Sequence, residues 1–175
     1  MPSNTDNTQI PAARVQLWDE ISNFVSRPWY RWFFNTYTAI EAGRRYGSGY
    51  STTTFTPVGI NTPYAFTFNK SYTRADGSNL AYGVYIGTPA SRVYVDNTST
   101  YNFQFSAQIK QTGGGTKQIY IWARINGTDV VDSATNVTLS GGSGDAAVAA
   151  WNFVLSLQAG DYFELVYSVS NTNIQ

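Results

Sequence analysis

The chain has 175 residues, room for one well-buried core plus a short appendage and too little for two ordinary domains. Only 13% of residues are charged while 42% are hydrophobic, and Tyr, Thr, Ser, Asn and Gly fill the polar positions, which suits strands and tight turns better than helices. Lys plus Arg and Asp plus Glu number 11 each, so no net field draws the chain to nucleic acid or to an anionic membrane; protein or neutral sugar is the expected partner.

Cysteine and histidine are both absent, which removes disulfides, thiol nucleophiles, Ser-His and Cys-His pairs and the usual zinc ligands together. A non-enzymatic protein without a cofactor or metal is therefore expected. Met1 to Ile10 show neither a basic start nor an apolar run, and no stretch nears the roughly 20 apolar residues of a membrane span. The expectation is a soluble chain without a signal peptide.

In chain order, the first clear element starts at Ser26, where Ser-Arg-Pro-Trp-Tyr-Arg-Trp-Phe-Phe predicts a helix. Ser26 stands as N-cap, Pro28 is tolerated in the first turn, Trp29, Trp32, Phe33, Tyr37 and Ile40 recur at helical spacing, and Gly43 marks the stop. Arg44 to Gly49 has the small and polar residues of a connector, which divides the chain into an arm, 1–49, and a body, 50–175. Trp18, Phe24, Trp29, Trp32, Phe33 and Phe34 exceed what one short helix can hide by itself. Trp18, Phe24, Trp29, Trp32, Phe33 and Tyr37 are accordingly the candidate partner-binding residues.

The body alternates with period two. Tyr101, Phe103, Phe105, Ala107 and Ile109 take one face of a strand, and Asn102, Gln104, Ser106 and Gln108 the other. Ile119, Ile121, Ala123 and Ile125 follow after the turn at residues 112–115, then Trp151, Phe153, Leu155 and Leu157, then Phe163, Leu165, Tyr167 and Val169. Shorter strands are expected over Thr54–Val58, Tyr64–Asn69, Tyr82–Ile86, Arg92–Val95 and Asn136–Leu139, about nine in all, packed as two antiparallel sheets. Tyr120, Trp122 and Arg124 lie opposite the isoleucine row, so a wet second face would expose a large aromatic surface; either a neighbouring loop of the same chain covers it, or these three residues form a subunit interface.

The acids offer little chemistry. Asp129 and Asp132 flank a turn, Asp145 lies in a Gly-Ser loop and Glu164 is read on a solvated strand face; none belongs to a catalytic motif. Asp76-Gly77-Ser78-Asn79 lacks the further ligands of a calcium loop, and the glycines at 113–115 and 141–144 read as hairpin loops, not phosphate cradles. Asn69, Asn97, Asn126 and Asn136 begin glycosylation sequons that carry no meaning without a signal peptide. Tyr82, Tyr85 and Tyr94 are the first candidates should the body hold a sugar.

Asn126-Gly127-Thr128-Asp129-Val130, followed by Leu155 to Leu165 with its Gly160-Asp161 turn, resembles the second half of jelly rolls related to tumour necrosis factor and the complement globular head. The Arg-Pro-Trp-Tyr-Arg-Trp-Phe segment, Arg27 to Phe33, ahead of such a body resembles small bacteriophage virion proteins. The resemblance implies an all-β antiparallel jelly-roll sandwich with a short N-terminal helical arm, a homotrimer, and a place in the virion after assembly in the host cytoplasm. Its implied partners are other virion proteins, a major capsid or tail protein. A capsid decoration or cement protein is the leading expectation. A short tail fibre or tail adaptor that binds a host glycan is the alternative.

Overall fold

Eleven strands and one helix form among the described residues, 10–42 and 45–175, of the computed structural model. The expected helix stop at Gly43, Arg44 of the connector and the start of the chain, residues 1–9, lie outside the described residues. The chain divides into two compact units, Met1–Arg45 and Tyr46–Gln175. The boundary precedes the expected one near Tyr50 because Tyr46 bridges to Tyr82 and Gly83, and Tyr50 to Lys70. A side chain at Gly47 would stand 2.3 Å from the Val84 carbonyl oxygen, so this close approach requires glycine.

In the first unit, β1 (Trp18–Asp19) and β2 (Phe24–Val25) pair as a short hairpin that sequence periodicity did not reveal. Its turn is made by Asp19, whose carboxylate accepts the N–H groups of Ile21 and Ser22, and by Asn23 at φ 57°, a left-handed conformation Asn tolerates. The predicted helix follows as α1 (Arg27–Ala42). Ser26 does precede it, and its carbonyl accepts the Tyr30 N–H at 3.0 Å. Its hydroxyl, however, does not cap the helix; it donates to the Gln16 carbonyl at 2.5 Å and fastens the helix start to the hairpin segment.

In the second unit, β3 (Tyr64–Ala65), β4 (Val84–Ile86), β5 (Val93–Val95), β7 (Lys117–Ile125), β8 (Thr128–Asp129), β9 (Thr135–Leu139) and β11 (Tyr162–Val169) build one seven-stranded sheet. Its main path runs β4-β5-β11-β7-β8, with β3 also on β11 and β9 also on β7. β6 (Ser99–Lys110) and β10 (Ala146–Leu157) form a separate antiparallel ribbon, paired from Ser99 with Leu157 to Lys110 with Ala146. The protein is thus mostly β, with one helix.

The ribbon shows why alternation was readable: Tyr101 to Ile109 point inward at every second residue while Asn102 to Gln108 are exposed. Phe103 stacks on Phe163 of β11 at 4.2 Å and 9°, which joins ribbon and sheet face to face. Ile121, Ala123, Leu165 and Val169 are buried in the same cluster, and Ile121, Leu165 and Val169 contribute about 1.5–3 kcal/mol each by leaving water.

Two sequence expectations need correction here. No strand forms over Thr54–Val58, and the expected Tyr64–Asn69 and Tyr82–Ile86 shorten to Tyr64–Ala65 and Val84–Ile86. Pro57 and Pro63 donate no ladder hydrogen bond, and the segment is held by rings instead: Phe55 packs edge-on to Phe66 at 5.3 Å and to Tyr167 at 6.3 Å. Glu164 is not solvated. Its strand is flanked by β5, β3 and β7, and it is buried with its carboxylate accepting the Ser91 hydroxyl at 2.6 Å; Arg92 Nε stands 3.8 Å away as an ion pair that makes no hydrogen bond.

The two glycine loops are clasped by a polar node. Lys117, buried with no carboxylate partner, donates to the carbonyls of Gly113 at 2.6 Å and Gly114 at 2.5 Å and to Gln111 Oε1 at 3.3 Å. Gln111, fully buried, donates in turn to the carbonyls of Gly141 and Gly142. A buried ammonium is tolerated because each of its N–H bonds finds a carbonyl dipole.

Candidate interaction surfaces

None of residues 10–40 in the first unit is buried. The predicted partner-binding residues therefore all retain open surface. Phe24 is 72% and Tyr37 64% exposed, Trp18 and Phe33 are about half exposed, and Trp29 and Trp32 are half-buried. Trp29, Trp32 and Phe33 come together, with ring centroids 5.2 to 6.1 Å apart. The Trp29 indole donates to the Val15 carbonyl at 2.9 Å, so this flank of α1 packs on the preceding segment. Trp18 and Phe24 lie on the hairpin instead, the Trp18 indole donating to Asn23 Oδ1 at 3.2 Å. Tyr30, which sequence reasoning left out, stacks on Phe34 at 6.4 Å and 15°. Its four-residue spacing from Phe34 was the available signal.

On the body, Tyr120, Trp122 and Arg124 line one face of β7, opposite the buried isoleucines, and face Ser168, Val166 and Glu164 of β11. Tyr120 keeps 37% of its surface exposed, whereas Trp122 is partly covered. Arg124 Nε donates to Asp129 Oδ1 at 2.7 Å across the β7–β8 pair and holds that carboxyl below the usual carboxylate range. The Trp122 indole, near enough to act on Asp129 in the same direction, makes no well-formed hydrogen bond and is buried without an acceptor. Trp151 of the ribbon buries its indole N–H unpaired as well, a cost of about 1–3 kcal/mol each.

Of the three tyrosines considered for sugar, the sheet brings together two and adds others. Tyr85 and Tyr94 stack at 5.8 Å, Tyr94 meets Tyr162 at 5.4 Å, and Arg92 lies 4.3 Å over the Tyr162 ring. Tyr82 sits apart, beside Tyr46. Tyr162 and Arg92 escaped sequence reasoning because only the β5–β11 pairing places them beside Tyr94.

The two motifs behind the jelly-roll resemblance are clamped to each other. Asn126 at φ 50° and Gly127 at φ 82° make the two-residue hairpin turn expected of Asn-Gly. The Asn126 amide donates to Asp161 Oδ1 at 2.7 Å and its oxygen accepts the Tyr162 N–H at 3.0 Å. The Asn126 amide, followed by the Gln158 N–H that donates to the same carboxylate, lowers the Asp161 pKa. Three further acids sit in turns: Asp145 accepts the Gly141 N–H, Asp76 accepts the N–H and hydroxyl of Ser78, and Asp132 sits at φ 59°. Among the described residues no three acidic side chains gather as a metal site would need, and no helix is long and apolar enough to cross a membrane.

No protein-family model and no curated protein matches this chain. What the geometry defines is a mostly β protein whose body closes its own core, while residues 10–40 of the N-terminal unit include no fully buried side chain.

Proposed function

We propose that this is a non-enzymatic structural protein of a bacteriophage particle. It is a homotrimer of jelly rolls that decorates or cements the head and is attached through its N-terminal unit. The observation that carries the reading is the contrast in burial: none of residues 10–40 is fully buried, and Trp18, Phe24, Phe33 and Tyr37 are about half exposed or more. Large rigid rings bury much area at low entropy cost and are efficient anchors for another protein. The two facing sheets, the long β6–β10 pairing and the Asn126–Asp161 clamp support the jelly-roll assignment. The absence of His and Cys supports a role in assembly over catalysis. Tyr120, Trp122 and Arg124 are the body's contribution to the trimer.

Imaging particles that lack this protein tests the reading. Bare or fragile heads are expected. Particles unchanged in structure and infectivity would overturn it.

A tail fibre or adaptor that holds a host glycan is the second reading, and the Tyr85, Tyr94, Tyr162 and Arg92 row favours it, since aromatic rings beside a cation suit sugar faces and hydroxyls. Intact heads with lost adsorption, together with strong hits on a glycan array, would move the assignment there.

A further inference from the structure

Asn126 and Gly127 form a chemically labile step as well as a turn. An asparagine amide is attacked most readily by the next backbone nitrogen when that residue is glycine, which has no side chain to block the approach. Every other asparagine of the chain is followed by Thr, Phe, Lys, Leu, Val or Ile. Asn126 and Gly127 are both exposed, so water reaches the step.

The chain and water alone balance the reaction. The Gly127 nitrogen loses its proton and bonds to Asn126 Cγ, the Cγ–Nδ2 bond breaks, and ammonia leaves. Water then opens the five-membered imide, at Cγ to give aspartate or at the backbone carbonyl carbon to give isoaspartate, whose main chain is longer by a carbon.

The fold opposes the first of these steps. The Asn126 side chain is held at both its polar atoms by the start of β11, Nδ2 donating to Asp161 Oδ1 at 2.7 Å and Oδ1 accepting the Tyr162 N–H at 3.0 Å. The backbone is fixed beside it, the Asn126 N–H donating to the Tyr162 carbonyl at 3.1 Å. Release of ammonia requires Nδ2 to give up its bond to a carboxylate, the stronger kind of hydrogen bond.

We propose that Asn126 is a deamidation site, that the clamp to Asp161 keeps it unreacted in the folded protein, and that its conversion opens the β7–β8 turn irreversibly. The new carboxylate would stand within hydrogen-bond distance of Asp161, where the amide donated, so an attractive contact becomes one between like charges. β8 answers to the turn because Thr128 and Asp129 pair with Ile125 and Arg124 directly beside it. In the isoaspartate product the extra main-chain atom displaces Thr128 from its place opposite Ile125.

The test incubates the full-length protein at mildly alkaline pH and reads Asn126 conversion by peptide mass spectrometry, as aspartate plus isoaspartate. Folded wild type is expected to convert about tenfold more slowly than the same protein in urea, and folded Asp161→Ala about tenfold faster than folded wild type. Asp161→Asn, which keeps an uncharged acceptor, is expected to fall between the two. The thermal transition of the body shows which variants are folded. Asp161→Ala converting no faster than folded wild type overturns the clamp; should that variant not fold, equal rates for wild type with and without urea overturn it. Asn126→Asp makes the aspartate product directly. It is expected to unfold at lower urea than wild type at neutral pH. It should recover as pH falls through the carboxylate range, because facing carboxylates raise the folded pKa and their penalty is lost on protonation. An Asn126→Asp protein as stable as wild type at neutral pH overturns the opening of the turn.

Discussion

Phe34 and Phe163 are the same residue type put to opposite uses. The first stands 57% exposed on α1, and the second is 5% exposed and stacked on Phe103 between two sheets. The same contrast separates the units. In Tyr46–Gln175 a continuous cluster from Val84 to Ile174 closes over itself, so the unit carries its own folding energy. In residues 10–40 the hydrogen bonds are local, Asp19 to its turn, Ser26 to Gln16 and Trp29 to Val15, and they shape the unit without burying it. Local polar contacts specify geometry, whereas apolar area supplies stability, and residues 10–40 leave much of theirs exposed.

The contrast can be broken from either side. The largest effect is expected from Phe163→Ala, which empties the space between ribbon and sheet and costs the body about 3–5 kcal/mol in urea unfolding. A loss below about 1 kcal/mol would mean that the two sheets do not depend on that stack. Next comes Lys117→Met, which keeps the stem and removes the ammonium from its carbonyl cage. About 2 kcal/mol should be lost, with faster amide exchange in the 111–115 and 141–144 loops. Unchanged exchange there would show that the node does not clasp them.

Acid provides a smaller effect. Asp129 has a folded pKa below its ordinary value of 3.8, chiefly through the Arg124 hydrogen bond. Its contribution is therefore present above the unfolded carboxylate value and is lost as pH falls through the folded one. Because the Asp129 side chain is more than half exposed, Asp129→Asn should cost less than about 1 kcal/mol at neutral pH. The substitution should also flatten the decline in stability below about pH 4; an unaltered acid limb would remove Asp129 from that account. The smallest effect on stability is expected from Phe34→Ala. The body's unfolding free energy should change by no more than about 0.5 kcal/mol, even as attachment to particles weakens. A large stability change would place Phe34 in a folding core after all.

Much of the body was legible because the long strands other than β11, which is buried on both faces, have one face more buried than the other, so their sequences must alternate. β6, β7 and β10 follow that rule. α1 was legible from ring spacing and from Pro28 in its first turn, and the Asn126-Gly127 turn from residues that accept positive φ. The short pieces were not. β1, β2 and β8 have two residues each, too few for an alternating pattern to repeat, and Thr54–Val58 alternates like a strand but is held by the Phe55 ring.

What the chain order determined by itself is thus the identity of each face: which residues of a strand or helix are apolar, and that α1 carries more rings than it can hide. Only tertiary structure decided what each face meets. Glu164 is buried because β11 lies between other strands, and Tyr94 meets Tyr162 because β5 and β11 pair across more than sixty residues of sequence. Periodicity is a local property of the backbone, whereas burial depends on neighbours brought in from far along the chain.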